Sequence, residues 1–475
     1  MSLFRVKGMN RVFFTSIFIL FSSFGLYAQG ECYYVSSSKG SNDNDGMSEL
    51  SPKKDLTEVP KKNVTIRLKC DDVFFGGVSG YNNCIIESYG KGNRPVICGF
   101  KVLVNTSAWK SLGNELWELD LTRLENFRGN TESVQDEAYN NIGFIYNPKD
   151  DKLYGRNKES VVKLEKDMDF YTSSYYSKKD INDHPFKSII IKYSGNPSEL
   201  GNLCFPMYQI GISSMINCEL KRVAVVGFSY MGIAYVMGCK VDDCQIDMIG
   251  GAIQVGYGIR ARFGNGIEFW DGFNDNIVTN CLISRTYDCA TTIQANGIIN
   301  DFPRNNQFIG NRIYKCRQAF EHFINPSDGS VIQYDNCEFS NNICYLMGDN
   351  EFDCPEKRDC NILSYENKTK SITIRNNTFF GSNHISGSSV GKGMKGNTVY
   401  VYNDQYIYTQ PWDNPLYHIT GNREDAVESY RIIIHDDSRI VVLQRGGLRA
   451  YFIGNRIKRK IGWKPVNLHL ERIIN

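Results

Sequence analysis

The sequence lacks an excess of charge of either sign. It contains 54 Lys and Arg residues against 52 Asp and Glu residues, so its formal net charge is +2. A basic nucleic-acid footprint or a polybasic membrane surface requires a clear positive excess. We therefore expect no nucleic-acid partner, although a local group of arginines could still bind an anionic ligand.

Signatures of metal and cofactor chemistry are also scarce. The six His residues show no paired metal-binding spacing, and no Gly-rich loop with a Lys-Ser or Lys-Thr end is present for a nucleotide phosphate. We expect no cofactor and no metal site. Calcium is the one alternative left open. Asp271, Asp275 and Asp288 lie at predicted corners or loops, where an aspartate has one of three roles: structural residue, catalytic residue or calcium ligand.

Long apolar runs are confined to the start of the chain. Arg11 precedes an apolar stretch from Val12 to Leu26, and small residues follow at Ala28 and Gly30, a pattern typical of a cleavable export signal. The stretch is short for a bilayer-spanning helix, so cleavage is favoured over anchoring. We expect residues 1–28 to be removed, leaving a monomer with no integral membrane segment that is periplasmic, on the cell surface or secreted.

A short block recurs along the second half of the chain, with a polar Asn or Asp, often a Cys, and then apolar residues. Its intervals are irregular, from about 25 to 41 residues, which is typical of a solenoid whose coils keep their strands and vary their loops. Equivalent Asn side chains on stacked coils could hydrogen-bond along the stack. The copies are Asn217-Cys218, Asp243-Cys244, Asn280-Cys281, Asn311-Arg312, Asn336-Cys337 and Asn377-Thr378.

The 15 cysteines are an odd number in a chain large enough to build its own core. Cys218, Cys244, Cys281 and Cys337 share one position of the repeated block, so we predict that they stack into a ladder of small apolar side chains. Occasional disulfides and a metal site are less favoured alternatives.

Short alternating apolar runs between Gly-rich and Asn-rich turns indicate an all-β protein. We predict an N-terminal cap with the first coils at residues 29–100 and an inserted β-rich segment at residues 101–205, where the repeat breaks. Central coils are predicted at residues 206–385, and terminal coils or a cap at residues 386–475.

Three segments carry a resemblance to a known group. They are Tyr33-Tyr34-Val35 with the turn after it, the run from Ile86 to Ile97, and Gly264-Asn265-Gly266-Ile267-Glu268-Phe269-Trp270. These segments resemble the pectate-lyase-like, right-handed parallel β-helix proteins of secreted bacterial systems. The resemblance covers most of the mature chain and implies a right-handed parallel β-helix. Activities in that superfamily include polysaccharide lysis, glycoside hydrolysis and epimerisation.

Two glutamates are the candidate catalytic residues. If Ile267 and Phe269 face the core, strand alternation turns Glu268 outward, and the same rule turns Glu321 outward two rungs away. Their backbones would then lie roughly 9 to 10 Å apart, near the carboxylate separation of inverting glycosidases. We predict that Glu321 is the general acid and Glu268 the general base, with the reverse order or a purely structural role as alternatives.

Neighbouring side chains suit a carbohydrate ligand. Aromatic rings can stack on a sugar face, polar neighbours can bind hydroxyl groups, and arginines can bind a uronate carboxylate or a sulfate. His322 would become an outward acid or base if the strand register shifted by one residue. The predicted substrate-binding residues are Arg260, Arg262, Trp270, Asp288, Thr292, Gln294, His322 and Phe323.

These residues predict an exported carbohydrate-active enzyme, with glycoside hydrolysis of a complex polysaccharide as the leading function. A polysaccharide lyase is the first alternative, since such an enzyme needs a base and a cation for the uronate carboxylate. The candidate cations are Arg260, Arg262, Lys315 and Arg317. A noncatalytic glycan-binding solenoid is the second alternative.

Overall fold

The computed structural model describes residues 30–120, 142–172, 188–254, 262–299, 301–329, 334–348, 351–352, 360–364, 372–380, 394–395, 397–401 and 430–434. The predicted signal at residues 1–28 and most of residues 386–475 lie outside this part of the chain, so those assignments stay predictions. None of the helices within the described ranges is long and apolar enough to cross a membrane.

In the described part of the chain, three parallel sheets of ten, seven and ten strands form the body, and the central coils contribute one strand to each sheet. Val, Ile and Phe dominate the inward positions because a strand in such a sheet needs an apolar side chain on its core face. Parallel strands joined by crossovers wind to the right. The structure therefore confirms the predicted all-β, right-handed parallel β-helix.

The strands divide among the three sheets as follows. Sheet 1 contains Cys32–Val35, Thr65–Lys69, Ile85–Tyr89, Glu219–Lys221, Lys240–Asp242, Ile277–Thr279, Gln307–Ile309, Glu338–Ser340, Thr373–Arg375 and Met394–Lys395. Sheet 2 contains Val78–Ser79, Ile210–Ile216, Met231–Met237, Ile267–Trp270, Cys289–Gly297, Gln318–Pro326 and Cys360–Ser364. Sheet 3 contains Val73–Phe75, Val96–Cys98, Ala224–Phe228, Gln245–Ile249, Leu282–Thr286, Arg312–Tyr314, Ile343–Tyr345, Thr378–Phe380, Asn397–Val401 and Tyr430–Ile434.

One continuous apolar core fills the space between the three sheets. Phenylalanines from neighbouring coils stack within it: the ring centroids of Phe269 and Phe308 are 4.9 Å apart, and those of Phe320 and Phe339 are 4.7 Å apart. Because Phe269 and Phe320 point inward from sheet 2, the residues that alternate with them point outward. This alternation fixes the register of the candidate site.

Stacked asparagines connect successive coils at the corner between sheets 1 and 3. The Nδ2 group of Asn311 donates to Oδ1 of Asn342 at 3.1 Å, and Nδ2 of Asn342 donates to Oδ1 of Asn377 at 3.0 Å. A similar bond of 3.1 Å joins Asn276 to Asn306 at the corner between sheets 2 and 1. The predicted hydrogen bonding of side-chain amides along the stack is therefore confirmed.

The prediction of a single cysteine ladder is wrong, because the repeated block serves two different corners. Cys218 and Cys337 precede strands of sheet 1, whereas Cys244 and Cys281 precede strands of sheet 3. At each corner a polar residue with positive φ comes directly before a buried side chain: φ is 51° at Asn217 and 57° at Asn280 in the two cases. Asn and Asp tolerate that conformation best among non-glycine residues, so both corners select the same sequence.

The cysteines from Cys32 to Cys344 are free thiols, and all of these except the half-buried Cys32 are buried. They occupy corner and strand positions of the core as small apolar side chains. Burial raises the pKa of the Cys98 and Cys316 thiols to about 12. These thiols are therefore protonated at neutral pH and act in packing.

A β-rich excursion from the helix lies within the range predicted as an inserted segment. Ile85–Tyr89 and Glu219–Lys221 are adjacent strands of sheet 1, so the excursion occurs within a single coil. The chain leaves this coil after Val96–Cys98 of sheet 3 and returns at Ile210–Ile216 of sheet 2. The excursion has a core of its own. Its strands form a five-stranded sheet of Lys110–Gly113, Leu116–Asp120, Asn157–Lys158, Phe170–Thr172 and Ser188–Lys192, and a four-stranded sheet of Phe100–Val102, Ile145–Asn147, Lys152–Tyr154 and Cys204–Pro206. Short 3-10 turns occur at Thr106–Ala108, Val161–Lys163 and Pro197–Leu200.

An ion-pair network connects the inserted segment to sheet 3. The guanidinium of Arg285 bonds the Asp247 carboxylate within sheet 3 and reaches Asp151 of the inserted segment at 2.7 Å. Asp151 also accepts a bond of 3.0 Å from the hydroxyl group of Tyr146. The buried Asp247 carboxylate pairs the Arg285 charge, because an unpaired charge in the interior is costly.

Candidate active site

The two candidate glutamates lie in one column on the outer face of sheet 2. The paired positions run from Ala234 to Glu268, then to Thr292, and then to Glu321. Glu268 and Glu321 are thus two rungs apart, with backbones roughly 9 to 10 Å apart at the usual strand spacing. The predicted register is correct.

Two amide groups hold the carboxylate of Glu268. Nδ2 of Asn265 donates to Oε2 at 2.5 Å, and Nε2 of Gln294 donates to the same oxygen at 2.8 Å. The other oxygen, Oε1, has no hydrogen-bond partner among the described residues. Burial raises the pKa of Glu268 to about 7, against the two amide bonds that lower it, and the charge of Asp288 raises it further.

Glu321 has weaker hydrogen-bond donors than Glu268. Its Oε2 atom lies 3.4 Å from Sγ of Cys289 and 3.3 Å from Oγ1 of Thr292. Burial raises the pKa of Glu321 to about 8, the charge of Asp288 raises it, and that of Glu268 adds a smaller increase. At neutral pH Glu321 is therefore mostly protonated, while Glu268 is close to its midpoint.

Glu268 and Glu321 lie on the outward face of the sheet but are not exposed to solvent. Glu268 has an exposed fraction of 0% and Glu321 of 6%. Alternation along the strand determines which face a side chain occupies, but it does not determine whether other residues cover that face. Thr292 between them is also fully buried, so the whole column lies beneath the surface in this conformation.

A second column lies beside the glutamates on the same face of sheet 2. Trp270 pairs with Gln294, and Gln294 pairs with Phe323 in the backbone register. Trp270 and Gln294 are half-buried. The next column contains Asn296 and Asn325, which are exposed and joined by a hydrogen bond of 3.2 Å from Nδ2 of Asn325 to Oδ1 of Asn296. An aromatic ring and amides beside a carboxyl pair are suited to sugar hydroxyls and ring faces.

His322 points into the core, which corrects its prediction as a substrate-binding residue. Its ring packs 5.9 Å from Phe320 and 6.0 Å from Tyr334. Burial lowers the pKa of His322 to about 4, so the ring is neutral at physiological pH. The register that turns Glu321 outward necessarily turns its neighbour inward.

Arg262, one of the two arginines predicted to bind a carboxylate, contacts the inserted segment. Arg262 is buried and donates to the backbone carbonyls of Gly155 and Asn157 in the inserted segment, at 2.9 and 3.3 Å. This contact corrects the expectation of a substrate-facing Arg262. The other predicted arginine, Arg260, lies outside the described residues.

Asp288 lies at the edge of the column, where its side chain is 30% exposed. Its Oδ1 atom is 3.9 Å from Sγ of Cys289 and 3.9 Å from Nη1 of the buried Arg317. The guanidinium of Arg317 also faces the ring of Tyr287. Asp288 is thus the water-accessible carboxylate of the group.

Sequence reasoning missed Asn265, Cys289 and Gln318. Asn265 approaches Glu268 from the turn before its strand, and Gln318 accepts a bond of 2.8 Å from the Cys289 thiol. The Gly264-Asn265-Gly266 triplet is visible in the sequence, but Cys289 and Gln318 meet only when two coils stack. Within the described ranges, no group of three or more His, Cys, Asp or Glu side chains is placed to hold a metal ion. The calcium alternative stays a prediction.

Comparisons with known proteins give structural neighbours and no sequence relatives. No protein-family model and no curated protein matches the chain. A complex of XylC with xylose is 11% identical over 78% of this chain and 68% of that one, with a TM-score of 0.43. The pectate lyase Pel9A is 12% identical over 87% and 78%, with a TM-score of 0.42, and a structure described as a glycoside hydrolase is 10% identical over 86% and 93%, with a TM-score of 0.39.

Proposed function

We propose that this chain is a carbohydrate-active enzyme that hydrolyses glycosidic bonds on the outer face of sheet 2, with Glu321 as general acid and Glu268 as general base. The observation that carries this proposal is the column of two buried carboxyl groups, two rungs apart, beside an aromatic ring and amides. Carboxyl groups whose surroundings separate their protonation behaviour are the usual acid and base pair of glycosidases.

The hydrogen bonds around each carboxyl group favour this order of roles. Glu268 accepts bonds from two amides, Asn265 and Gln294, and such donors stabilise its ionised form. Glu321 has only a thiol and a hydroxyl group as donors and lies near two other carboxyl groups, so it keeps its proton to higher pH. An acid that is protonated and a base that is partly ionised coexist near neutral pH.

In the proposed reaction, Glu321 donates its proton to the glycosidic oxygen as the bond from that oxygen to the anomeric carbon breaks. A water molecule attacks the anomeric carbon, and Glu268 takes a proton from it. The products are two sugar hydroxyl groups, with Glu321 ionised and Glu268 protonated, and proton exchange with solvent restores both. Because a water must fit between the sugar and the base, the two-rung separation predicts inversion at the anomeric carbon.

The burial of Glu268 and Glu321 adds a requirement to the proposal. Substrate must displace the residues that cover Glu268 and Glu321, and the free energy of substrate binding must offset the cost of that displacement. The unpartnered Oε1 of Glu268 is the acceptor to which the attacking water would bind once the column opens.

The test is incubation of the purified protein with a panel of polysaccharides, followed by measurement of new reducing ends and of the ultraviolet absorbance of unsaturated uronates. Hydrolysis predicts reducing ends without that absorbance. Glu321→Gln and Glu268→Gln should each lower kcat by about 10² to 10⁴, while Glu199→Gln, at an exposed position, should not change it. Full activity in either active-site variant would remove that residue from the mechanism.

A noncatalytic glycan-binding solenoid is the second candidate, and the burial of both carboxyl groups favours it. In that case Trp270, Gln294 and the exposed Asn296 and Asn325 bind sugar, while the glutamates only fill the sheet. Retention of a polysaccharide without cleavage, weakened by Trp270→Ala and unchanged in Glu321→Gln, would support it.

A lyase receives less support, because three of the four candidate cations have other contacts and Arg260 lies outside the described residues. Arg262 donates to the inserted segment, Lys315 pairs with Glu351, and Arg317 lies beside Asp288. Unsaturated products in the panel would reverse this order. We also propose that the enzyme is exported as a monomer, on the basis of the N-terminal signal pattern. N-terminal sequencing and the sedimentation behaviour of the mature protein test those two points.

A further inference from the structure

Asp288, Cys289 and Glu321 form a cluster that the acid and base roles alone do not explain. The Sγ atom of Cys289 lies within reach of both carboxyl groups, 3.4 Å from Oε2 of Glu321 and 3.9 Å from Oδ1 of Asp288. Through this shared contact the two carboxyl oxygens are at most about 7 Å apart. Glu321 is buried, while the Asp288 side chain is 30% exposed.

We infer that Asp288 is a positioning residue that keeps the proton on Glu321 across the buried Cys289 thiol. The inference rests on the proposed function of Glu321 as general acid. A carboxylate with access to water keeps its negative charge more readily than a buried one, and a negative charge at this distance disfavours a second one. Burial and the neighbouring Asp288 therefore both favour the protonated form of Glu321.

The other charged groups around Glu321 do not replace Asp288 in this role. Glu268, on the strand two rungs away, is held by the amides of Asn265 and Gln294 and contributes less than Asp288. Arg317, before the strand of Glu321, lies 3.9 Å from Asp288 and provides a counterion on that side. The remaining contacts of Glu321, Thr292 and Cys289, are uncharged donors.

The thiol is suited to its place between the two carboxyl groups. Its single proton is directed to Oε1 of Gln318 at 2.8 Å, shorter than its distances to either carboxyl oxygen. A thiol is a weak donor, so it lowers the pKa of Glu321 without offsetting burial and the charge of Asp288. A serine hydroxyl at this position would be a stronger donor to the carboxylate.

The test measures the proton on Glu321 directly, by NMR titration of side-chain carboxyl carbons in protein labelled with ¹³C-glutamate. The Glu321 signal is identified by its loss in Glu321→Gln. In Asp288→Asn its midpoint should fall by roughly one pH unit. Asp335→Asn removes an equal charge from an exposed corner beyond the far end of the same strand and should leave the midpoint in place. An unchanged midpoint in Asp288→Asn would overturn the inference.

A second variant covers the case in which Asp288→Asn does not fold. Cys289→Ser should also lower the Glu321 midpoint, because the hydroxyl donates more strongly to the ionised form. A midpoint that stays in place in folded Cys289→Ser would contradict the role of the thiol.

Turnover separates this inference from the proposed function. In Asp288→Asn the alkaline limb of the pH profile of kcat should move to lower pH by the same amount as the NMR midpoint. A shifted midpoint in a protein that cleaves no polysaccharide would refute the proposed function and leave the coupling intact. Cleavage with an unshifted midpoint would refute the coupling alone.

Discussion

Replacing Glu321 with glutamine should change how the stability of the fold depends on pH. A glutamate in the unfolded chain has a pKa of about 4.3, and burial raises the pKa of Glu321 in the folded protein to about 8. The folded state therefore holds this proton more tightly than the unfolded state does. Its contribution to stability is complete below about pH 4, and it is lost progressively as the pH rises to about 8.

The size of the loss follows from the difference between the two pKa values. Each unit corresponds to about 1.4 kcal/mol, so this carboxyl group costs the fold up to about 5 kcal/mol between about pH 4 and pH 8. Glutamine has nearly the same shape and does not titrate. Any cost of its amide is the same at every pH, so only the slope of the difference between the two proteins is informative.

The assay is urea unfolding of wild type and Glu321→Gln from about pH 4 to pH 9, with Glu199→Gln as the exposed control. The difference in free energy of unfolding between variant and wild type should rise with pH in favour of Glu321→Gln, and then level off above about pH 8. The Glu199→Gln control should run parallel to wild type. Parallel curves for Glu321→Gln would refute the assignment of a buried, protonated carboxyl group.

Three further outcomes are expected. Asn342→Ala should lower the free energy of unfolding in urea by about 2 to 4 kcal/mol, because it leaves buried hydrogen-bonding partners in neighbouring coils unsatisfied. The control Asn325→Ala, at an exposed position, should lower it by under about 1 kcal/mol. Equal losses in the two variants would contradict the role of the stacked asparagines. Trp270→Ala should raise KM more than it lowers kcat, since a stacking platform binds ground and transition states alike, and a pure kcat effect would argue against that role. Thiol labelling of the native protein should modify Cys32 first among the cysteines from Cys32 to Cys344, and rapid modification of several core thiols would contradict the packing role.

Much of the fold could be predicted from the sequence because the same physical demand recurs in every coil. Inward positions need apolar side chains, and corners need residues that accept positive φ. Asparagines such as Asn217 and Asn280 therefore indicate where the chain turns. Both corners require the same residue types, so one repeated sequence block occurs at two different corners. The cysteines of that block therefore form two stacks where the sequence predicted one. No local pattern distinguishes the corner before sheet 1 from the corner before sheet 3.

The sequence predicted which face of the strand carries Glu268 and Glu321. It did not predict their burial or their hydrogen-bond partners. Alternation around Phe269 and Phe320 placed Glu268 and Glu321 on one face. Their burial depends on which segments cover that face, and the partners Cys289 and Gln318 come from different coils. Arg262 shows the same limit, because its acceptors at Gly155 and Asn157 are more than 100 residues earlier in the chain.

A co-crystal structure of Glu321→Gln with an oligosaccharide that the wild type cleaves tests the central claim most directly. The account predicts that a glycosidic oxygen lies within hydrogen-bond distance of the substituted side chain, and that a water contacts Glu268 on the opposite side of the anomeric carbon. A sugar seated elsewhere, with Glu268, Thr292 and the substituted side chain still covered, would contradict it.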